Sequence, residues 1–423
     1  MARFLYSLAM LLLLPFAFAW MFWRTLRQTG HVDRLGERFG SSPYLPPNEI
    51  IWLHGASVGE IRALSPLVKT LHHEFPKQPL LVTSFSGSGR AQAQALFGGQ
   101  ALVAQIPYDL PFCVNRWLKC VSPAVGIILE TEIWPNLYAA CARRRIPLLL
   151  VSARLSERSL RRFRRIPGLV RTSLAQATAV AAQTRADAEG FHQLGAGQDR
   201  ISVIGNLKFD VQLPDKLRQE GRSLRTRLFG KATVIVAGST REGEEQQVLE
   251  AFRKLLTRHP DCVLLLAPRH PERAISVAEL VKQSGFACLR RSTGESLLKS
   301  GEVLLLDSLG ELTQFYAAGH VAFVGGSLVP VGGHNLLEPA ALGLPVLAGP
   351  HLDNVSDIAA MLKDAGGLIV VPDAEKLAEA FIWLVANPAT RQHIGQAAEH
   401  TVTANRGALD RAMKLIRLVL ARK

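Results

Sequence analysis

Among the five cysteines of this 423-residue sequence, none forms a CxxC pair. Cys113, Cys120, Cys141, Cys262 and Cys288 sit mostly in apolar runs, which argues against a zinc site and supplies no disulfide framework. A reducing compartment suits such a chain. Zinc-finger spacing and RNP-like aromatic motifs are missing, so nucleic acid is set aside as a partner. There is no close internal repeat, no low-complexity segment and no acidic cluster of the kind that holds a metal, so neither metal nor cofactor is expected. Negative charge is also in short supply. The 49 Lys and Arg outnumber the 35 Asp and Glu, for a net charge of +14. That excess asks for an anionic partner, either phospholipid headgroups or a phosphorylated substrate.

Apolar residues, by contrast, are plentiful at 48%, enough for two sizeable cores and too many for disorder. Phe4 to Trp23 is uncharged, interrupted only by Ser7 and Pro15. About 20 such residues span a bilayer core as a helix. A cleaved signal peptide would have a shorter apolar region and a small-residue cleavage site. Here Trp20, Phe22 and Trp23 follow instead, as in an interfacial aromatic anchor. Arg24, Arg27, Arg34 and Arg38 lie just beyond, against Arg3 and the amino terminus before it. The positive-inside rule then puts the body of the protein on the cytoplasmic side of a membrane.

The rest of the chain alternates apolar runs with helix-like stretches. Ile50–His54, Leu80–Ser84, Val125–Glu130, Pro147–Ser152, Ala179–Gln183 and Ile201–Ile204 read as strands buried on both faces of a parallel sheet. Glu60–Phe75 and Gly89–Phe97 read as helices between them. Asp210 to Gly230, with Pro214 and several charges, reads as a linker plus a helix. The pattern then restarts with Thr233–Ala237, Val263–Ala267, Val303–Leu306, Val321–Gly325, Pro345–Ala348 and Gly367–Val371. The expected fold is therefore α/β, with two doubly wound, Rossmann-like domains facing each other across a cleft behind an N-terminal anchor helix. The boundaries are an anchor over 1–24, domains over 25–212 and 213–405, and an amphipathic last helix over 406–423 that packs back on the first domain.

Ligands of open α/β sheets bind at the carboxyl ends of strands, so the residues just past each strand carry the functional reading. After the first strand comes His54-Gly55-Ala56-Ser57-Val58-Gly59-Glu60, a tight loop into a helix. Glu60 is either a first-turn acid complementing the helix dipole or a catalytic group. Glu130 ends a buried run, in Glu130-Thr131-Glu132-Ile133-Trp134-Pro135-Asn136, and needs a partner or a task. Lys208, after the last strand of the first half, is a surface lysine or a cation for a substrate anion. In the second half, Gly238-Ser239-Thr240 reads as an anion-binding turn or a plain N-cap by Ser239 or Thr240, ahead of the acidic Glu242–Glu245. Pro268 and Arg269 follow a strand, with Arg269 placed to pair with a phosphate. Leu309, Gly310 and Glu311 lie past the next strand.

The strongest segment is Gly325–Pro339, where four glycines join a strand to a helix. It is neither the dinucleotide fingerprint nor a Walker A loop, yet it lets backbone approach a ligand. Glu338, near the start of that helix, suits ribose hydroxyls. Arg143–Arg145, Arg154, Arg158, Arg161, Arg162, Arg164, Arg165 and Arg171 crowd one stretch with Glu157 as the only acid. This is a solvated helix face or, beside an anchor, a patch for anionic lipid.

In this order, behind a hydrophobic first segment, His54–Glu60, Glu130–Asn136, Ala267–Arg273 and Gly325–Pro339 resemble the 3-deoxy-D-manno-octulosonic acid (Kdo) transferases of lipopolysaccharide assembly, over essentially the whole chain. The resemblance implies a GT-B fold and inverting transfer of Kdo from CMP-Kdo to a lipid A precursor, lipid IVA, on the cytoplasmic side of a bacterial inner membrane. It implies that Glu60 is the proton acceptor, with Glu130 and Lys208 assisting the transition state. It also implies that Pro268, Arg269, Leu309, Gly310, Glu311, Asn335, Leu336, Leu337 and Glu338 hold CMP. Two rival readings are a UDP-sugar transferase of the same fold and a non-catalytic adaptor that binds anionic lipid through the arginines.

Overall fold

A computed structural model describes residues 2–27, 35–42, 49–211, 213–294 and 296–421, excepting the side chains of 16–27 and 35. The chain forms two compact units, Met1–Asp210 with Arg406–Lys423, and Val211–Asn405.

The first unit is built on a seven-stranded parallel sheet in the order β3-β2-β1-β4-β5-β6-β7. Its strands are β1 (Ile51–His54), β2 (Leu80–Ser84), β3 (Leu102–Gln105), β4 (Val125–Leu129), β5 (Leu148–Ala153), β6 (Ala179–Ala182) and β7 (Ile201–Val203). β1, β2, β4, β5 and β6 are buried at every residue, because helices cover both faces. Their continuous apolar runs made them readable. β3 was not foreseen. It is an edge strand whose first residue is exposed, so it lacks such a run.

The expected helix Glu60–Phe75 is two helices, Val58–Ala63 and Ser65–Glu74. Pro66 lies in the first turn of the second helix and has no N–H to continue the first. The chain order reverses between β1 and β4, which makes their carboxyl ends the switch point of this sheet.

The second unit repeats the architecture in the order β10-β11-β9-β8-β12-β13-β14, again all parallel. Its strands are β8 (Thr233–Thr240), β9 (Cys262–Pro268), β10 (Cys288–Arg290), β11 (Val303–Leu305), β12 (Val321–Val324), β13 (Val346–Ala348) and β14 (Leu368–Val370). The unforeseen strand is again at an edge, the half-buried β10. The switch point lies between β8 and β12.

One reading is corrected here. Gly238-Ser239-Thr240 is neither turn nor cap, because β8 runs on through Thr240 with a bulge between Gly238 and Thr240, and Ser239 adopts φ +58°. The cap of the following helix, Glu244–Leu256, is Gly243 at φ +87°. A bulge lengthens the strand by a residue, and only a glycine enters the helix easily from the left-handed region.

The last helix, Ala408–Leu420, belongs to the first unit. Ala408, Ala412, Met413 and Ile416 are buried in the same core as Leu67 and Leu71. Asp210 fixes its start by accepting the Gly407 and Leu409 N–H groups, both at 2.7 Å, at the positive end of the helix dipole.

The first helix, Ala2–Arg27, contains Pro15. Asn136 Nδ2 donates to Ser7 Oγ at 3.0 Å. Phe4, Leu5, Leu8, Leu11, Leu12 and Leu13 are all exposed. Among the described residues no helix is long and apolar enough to cross a membrane. The expected span Phe4–Trp23 runs into residues whose side chains lie outside those described.

Candidate active site

In the first unit, the loop after β1 is shaped by one carboxylate. Ser57 caps the helix Val58–Ala63, accepting the Glu60 N–H at 3.3 Å. Glu60 reaches back and accepts the Ala56 N–H at 2.8 Å on Oε2 and the Ser57 hydroxyl at 2.8 Å on Oε1. Gly55 permits this closeness, since a Cβ there would lie 3.2 Å from the Glu60 Cβ. The helix-start role is therefore filled by Glu60. Burial pushes the Glu60 carboxyl up to about 7, the negative charge of Glu130 adds to this, and the Ala56 amide and Ser57 hydroxyl only partly oppose it. A base poised near neutrality is what general-base catalysis requires.

Glu130 stands at the end of β4, on the other side of the switch point. Its φ is +58°, a conformation that costs a non-glycine residue on the order of 1 kcal/mol. The Lys208 ammonium donates to its Oε1 at 2.7 Å, with both side chains mostly buried. Lys208 is held by a turn over Leu207–Phe209, in which Asn206 Oδ1 accepts the Lys208 N–H at 2.9 Å. Leu207 and Phe209 on either side are buried, so the lysine between them is fixed at its base. Ser152, in the bulge of β5 at φ +51°, accepts the Leu207 N–H and so ties that turn to the sheet.

Two neighbours escaped the sequence reading of the site. Glu132 accepts the Trp134 indole N–H at 2.8 Å, and burial, opposed by that bond and aided by Glu130, raises its carboxyl. His54 is fully buried beside Thr83, with Nδ1 and Thr83 Oγ1 2.9 Å apart. Burial lowers its imidazole to about 3, so at neutral pH it is an uncharged wall of the site.

In the second unit the residues expected to hold CMP fall at the ends of β9, β11 and β12. Pro268 is buried as the last residue of β9. Arg269 follows, half-buried, with its N–H on Thr240 O at 2.9 Å and no described partner for its guanidinium. Leu309 is 78% exposed and Gly310 has φ +87°, so this loop offers backbone and an apolar tip. Glu311 accepts from Ser308 and from Arg291, which outweigh burial and hold its carboxyl below the ordinary range. Asn335 Nδ2 donates to Glu338 Oε1 at 2.9 Å, and Thr313 donates to Oε2 at 3.1 Å. Thr313 and Glu311 flank Leu312, where the helix Leu312–Ala318 begins, so the β11 and β12 loops meet at that helix start. Leu336 and Leu337 are buried, which leaves them only backbone to offer a ligand.

The glycine-rich loop proves to be arranged around a residue the sequence reading passed over. Glu244 is fully buried and accepts the N–H groups of Gly326 (2.6 Å), Ser327 (2.9 Å), Leu328 (2.8 Å) and Arg241 (2.8 Å). Glu242–Glu245 had read as an ordinary acidic helix start, and no local pattern announces a contact made across 82 residues. Arg241, also missed, donates from Nη1 to His270 Nε2 at 2.8 Å and from Nε to His334 Nε2 at 3.3 Å.

Residues 33–211 match the family model of 3-deoxy-D-manno-octulosonic-acid transferases, and residues 230–401 match that of glycosyl transferases group 1. A 3-deoxy-D-manno-octulosonic acid transferase from Haemophilus influenzae is 36% identical, covering 100% of both chains. One from Bordetella pertussis is 38% identical over 98% of each. A glycosyltransferase of known structure from Rickettsia africae shares the fold at TM-score 0.52, with 16% identity over 90% of this chain and 100% of that one.

Proposed function

Since this chain belongs to the 3-deoxy-D-manno-octulosonic acid transferase family, we propose that its glycosyl transfer moves Kdo from CMP-Kdo to a hydroxyl of a lipid A precursor, with Glu60 as the base. The enzyme is a glycosyltransferase, and Kdo transfer serves lipopolysaccharide synthesis. The observation that carries the residue assignment is Glu60 itself. It is a carboxylate at the switch point of a doubly wound sheet, raised to about 7 by burial and by Glu130.

The acceptor oxygen bonds to the anomeric carbon of Kdo as the bond from that carbon to the phosphate oxygen breaks. The proton passes to Glu60, and CMP leaves with the bonding electrons. An oxocarbenium-like transition state gathers charge around that carbon. The paired charges of Glu130 and Lys208 assist it. The Lys208 ammonium lies 2.7 Å from Glu130 Oε1 and so pairs with it directly. On the donor side, Arg269 meets the phosphate, Glu338 accepts ribose hydroxyls, and Pro268, Leu309, Gly310, Glu311 and Asn335 complete the CMP site, with Leu336 and Leu337 contributing backbone.

The acceptor is lipidic, and the enzyme works at the cytoplasmic face of the inner membrane with its first helix as anchor. Two features support this. Phe4, Leu5, Leu8, Leu11, Leu12 and Leu13 leave apolar surface uncovered on that helix. Arg158, Arg161, Arg162, Arg165 and Arg171 are exposed and form no ion pair among the described residues, as suits anionic headgroups.

The test is CMP release by the purified, folded protein in detergent, given CMP-Kdo with and without a lipid A precursor. Acceptor-dependent release is the expected result. Turnover with a UDP-sugar in place of CMP-Kdo would overturn the donor, and lipid binding with no turnover of either would favour an adaptor.

A further inference from the structure

A CMP-linked Kdo carries two negative charges close to the reacting carbon, the phosphate and the sugar's own carboxylate. In a doubly wound sheet an anion usually meets free backbone amides at a helix start beside the switch point. In the second unit the amides of the first turn of the loop after β12 are taken. Gly326, Ser327, Leu328 and Arg241 give their N–H groups to the buried Glu244, whose charge also disfavours an anion at that spot. Those four amides are closed to an anion, and the carboxyl ends of the two adjacent strands β8 and β9 supply an arginine side chain each.

Arg269 follows β9, and its backbone N–H is bonded to Thr240 O at 2.9 Å. Arg241 is the residue immediately after Thr240, so the two arginines leave neighbouring strand ends. The Arg241 guanidinium is held through two of its donors. His270 accepts from Nη1 and His334 from Nε, which leaves Nη2 and one hydrogen of Nη1 with no partner among the described residues. Those outer hydrogens form the fork that binds a carboxylate in two-point fashion. The supporting imidazoles are themselves fixed. His270 Nδ1 lies 3.0 Å from Glu272, which assigns its proton to Nδ1 and its lone pair to Arg241. A Cβ on Gly326 would lie 2.8 Å from the His334 ring, so the glycine gives that ring its place.

We propose that Arg241 receives the carboxylate of the donor sugar while Arg269 receives the phosphate, which makes Arg241 the residue that selects an acidic sugar over a neutral one. This rests on CMP-Kdo being the donor. The experiment compares KM for CMP-Kdo with Ki for CMP as a competitive inhibitor, in the parent protein and in Arg241→Met and Arg269→Met. CMP has the phosphate and lacks the carboxylate. Arg241→Met is expected to raise KM by about tenfold or more, the loss of one charge-assisted fork, and to leave Ki unchanged within about twofold. Arg269→Met is expected to raise both.

A parallel rise of KM and Ki in Arg241→Met would move Arg241 to the phosphate and overturn the proposal, as would no change in either. An unaltered Ki also shows that the donor unit is folded. Should Arg241→Met fail to bind CMP and melt early, Arg241→Lys decides instead, because it keeps the charge and loses the fork. It should raise KM alone, and an unchanged KM in that variant would refute the fork. A parent protein that turns over a UDP-sugar and not CMP-Kdo would refute the donor itself, a result visible without any variant.

Discussion

The two units place an acid at the same topological address and surround it differently. In the first unit Glu60 stands in the first turn of the helix after the central strand β1, takes one backbone amide and one hydroxyl, and stays half-buried with its carboxyl raised to about 7. In the second unit Glu244 opens the helix after the central strand β8, takes four backbone amides and is fully buried. A carboxylate surrounded by four N–H donors has no lone pair left for a proton in transit. It organises a loop. A carboxylate with two donors and a like charge nearby keeps basicity to offer. If Glu60 is the base, as proposed, what separates it from Glu244 is how many donors surround the carboxylate, not the residue type or its place in the fold.

The largest effect should come from Glu60→Gln. Shape and hydrogen bonds survive while basicity does not, so transfer should fall about 10²–10⁴-fold with CMP binding intact. Burial raises the folded-state value above the ordinary 4.5, so the ionised form is the one the fold resists. Stability contributed by the protonated form is therefore lost as pH rises from about 4.5 through 7. Above neutrality the Gln variant should melt at a higher temperature than the parent, and an earlier melt there would show that Glu60 is mainly structural.

Glu244→Gln should do the reverse, costing about 3 kcal/mol in a urea melt of the second unit, because an amide NH₂ would then face N–H donors in a buried site. An unchanged melt would end the comparison.

Next comes Glu130→Gln. Removing that negative charge lowers the Glu60 value, so the acidic limb of kcat/KM should move to lower pH, while Lys208→Met should move it the other way. A limb that stays put in both variants would assign it to another group. The smallest effect is expected from Glu132→Gln, which should shift the limb in the same direction as Glu130→Gln but less, since its charge weighs least on Glu60.

Much of this was legible in the amino-acid sequence, for reasons that also mark the limit. Interior strands announced themselves because both faces are buried; of the four edge strands, β7 and β14 were also read, whereas β3 and β10 were not. Glu60, Glu130 and Arg269 stand just past buried strands, a position that chain order alone reveals. Glu244 carries no such mark, because its partners Gly326, Ser327 and Leu328 are brought to it by the fold. Arg241 was hidden by the bulge at Ser239, which extends β8 and turns an expected phosphate turn into a strand end.

The return of Ala408–Leu420 to the first unit has a consequence for biosynthesis. The second unit, Val211–Asn405, is one uninterrupted stretch of chain and can close its own core while translation is still under way. The first unit cannot. Ala408, Met413 and Ile416 belong to the same core as Leu67 and Leu71, and Asp210 waits for the Gly407 and Leu409 amides. A ribosome that stalls before residue 406 therefore leaves a finished second unit joined to an unfinished first one. On the proposed assignment of CMP to the second unit and of the base to the first, such a product would hold donor without consuming it.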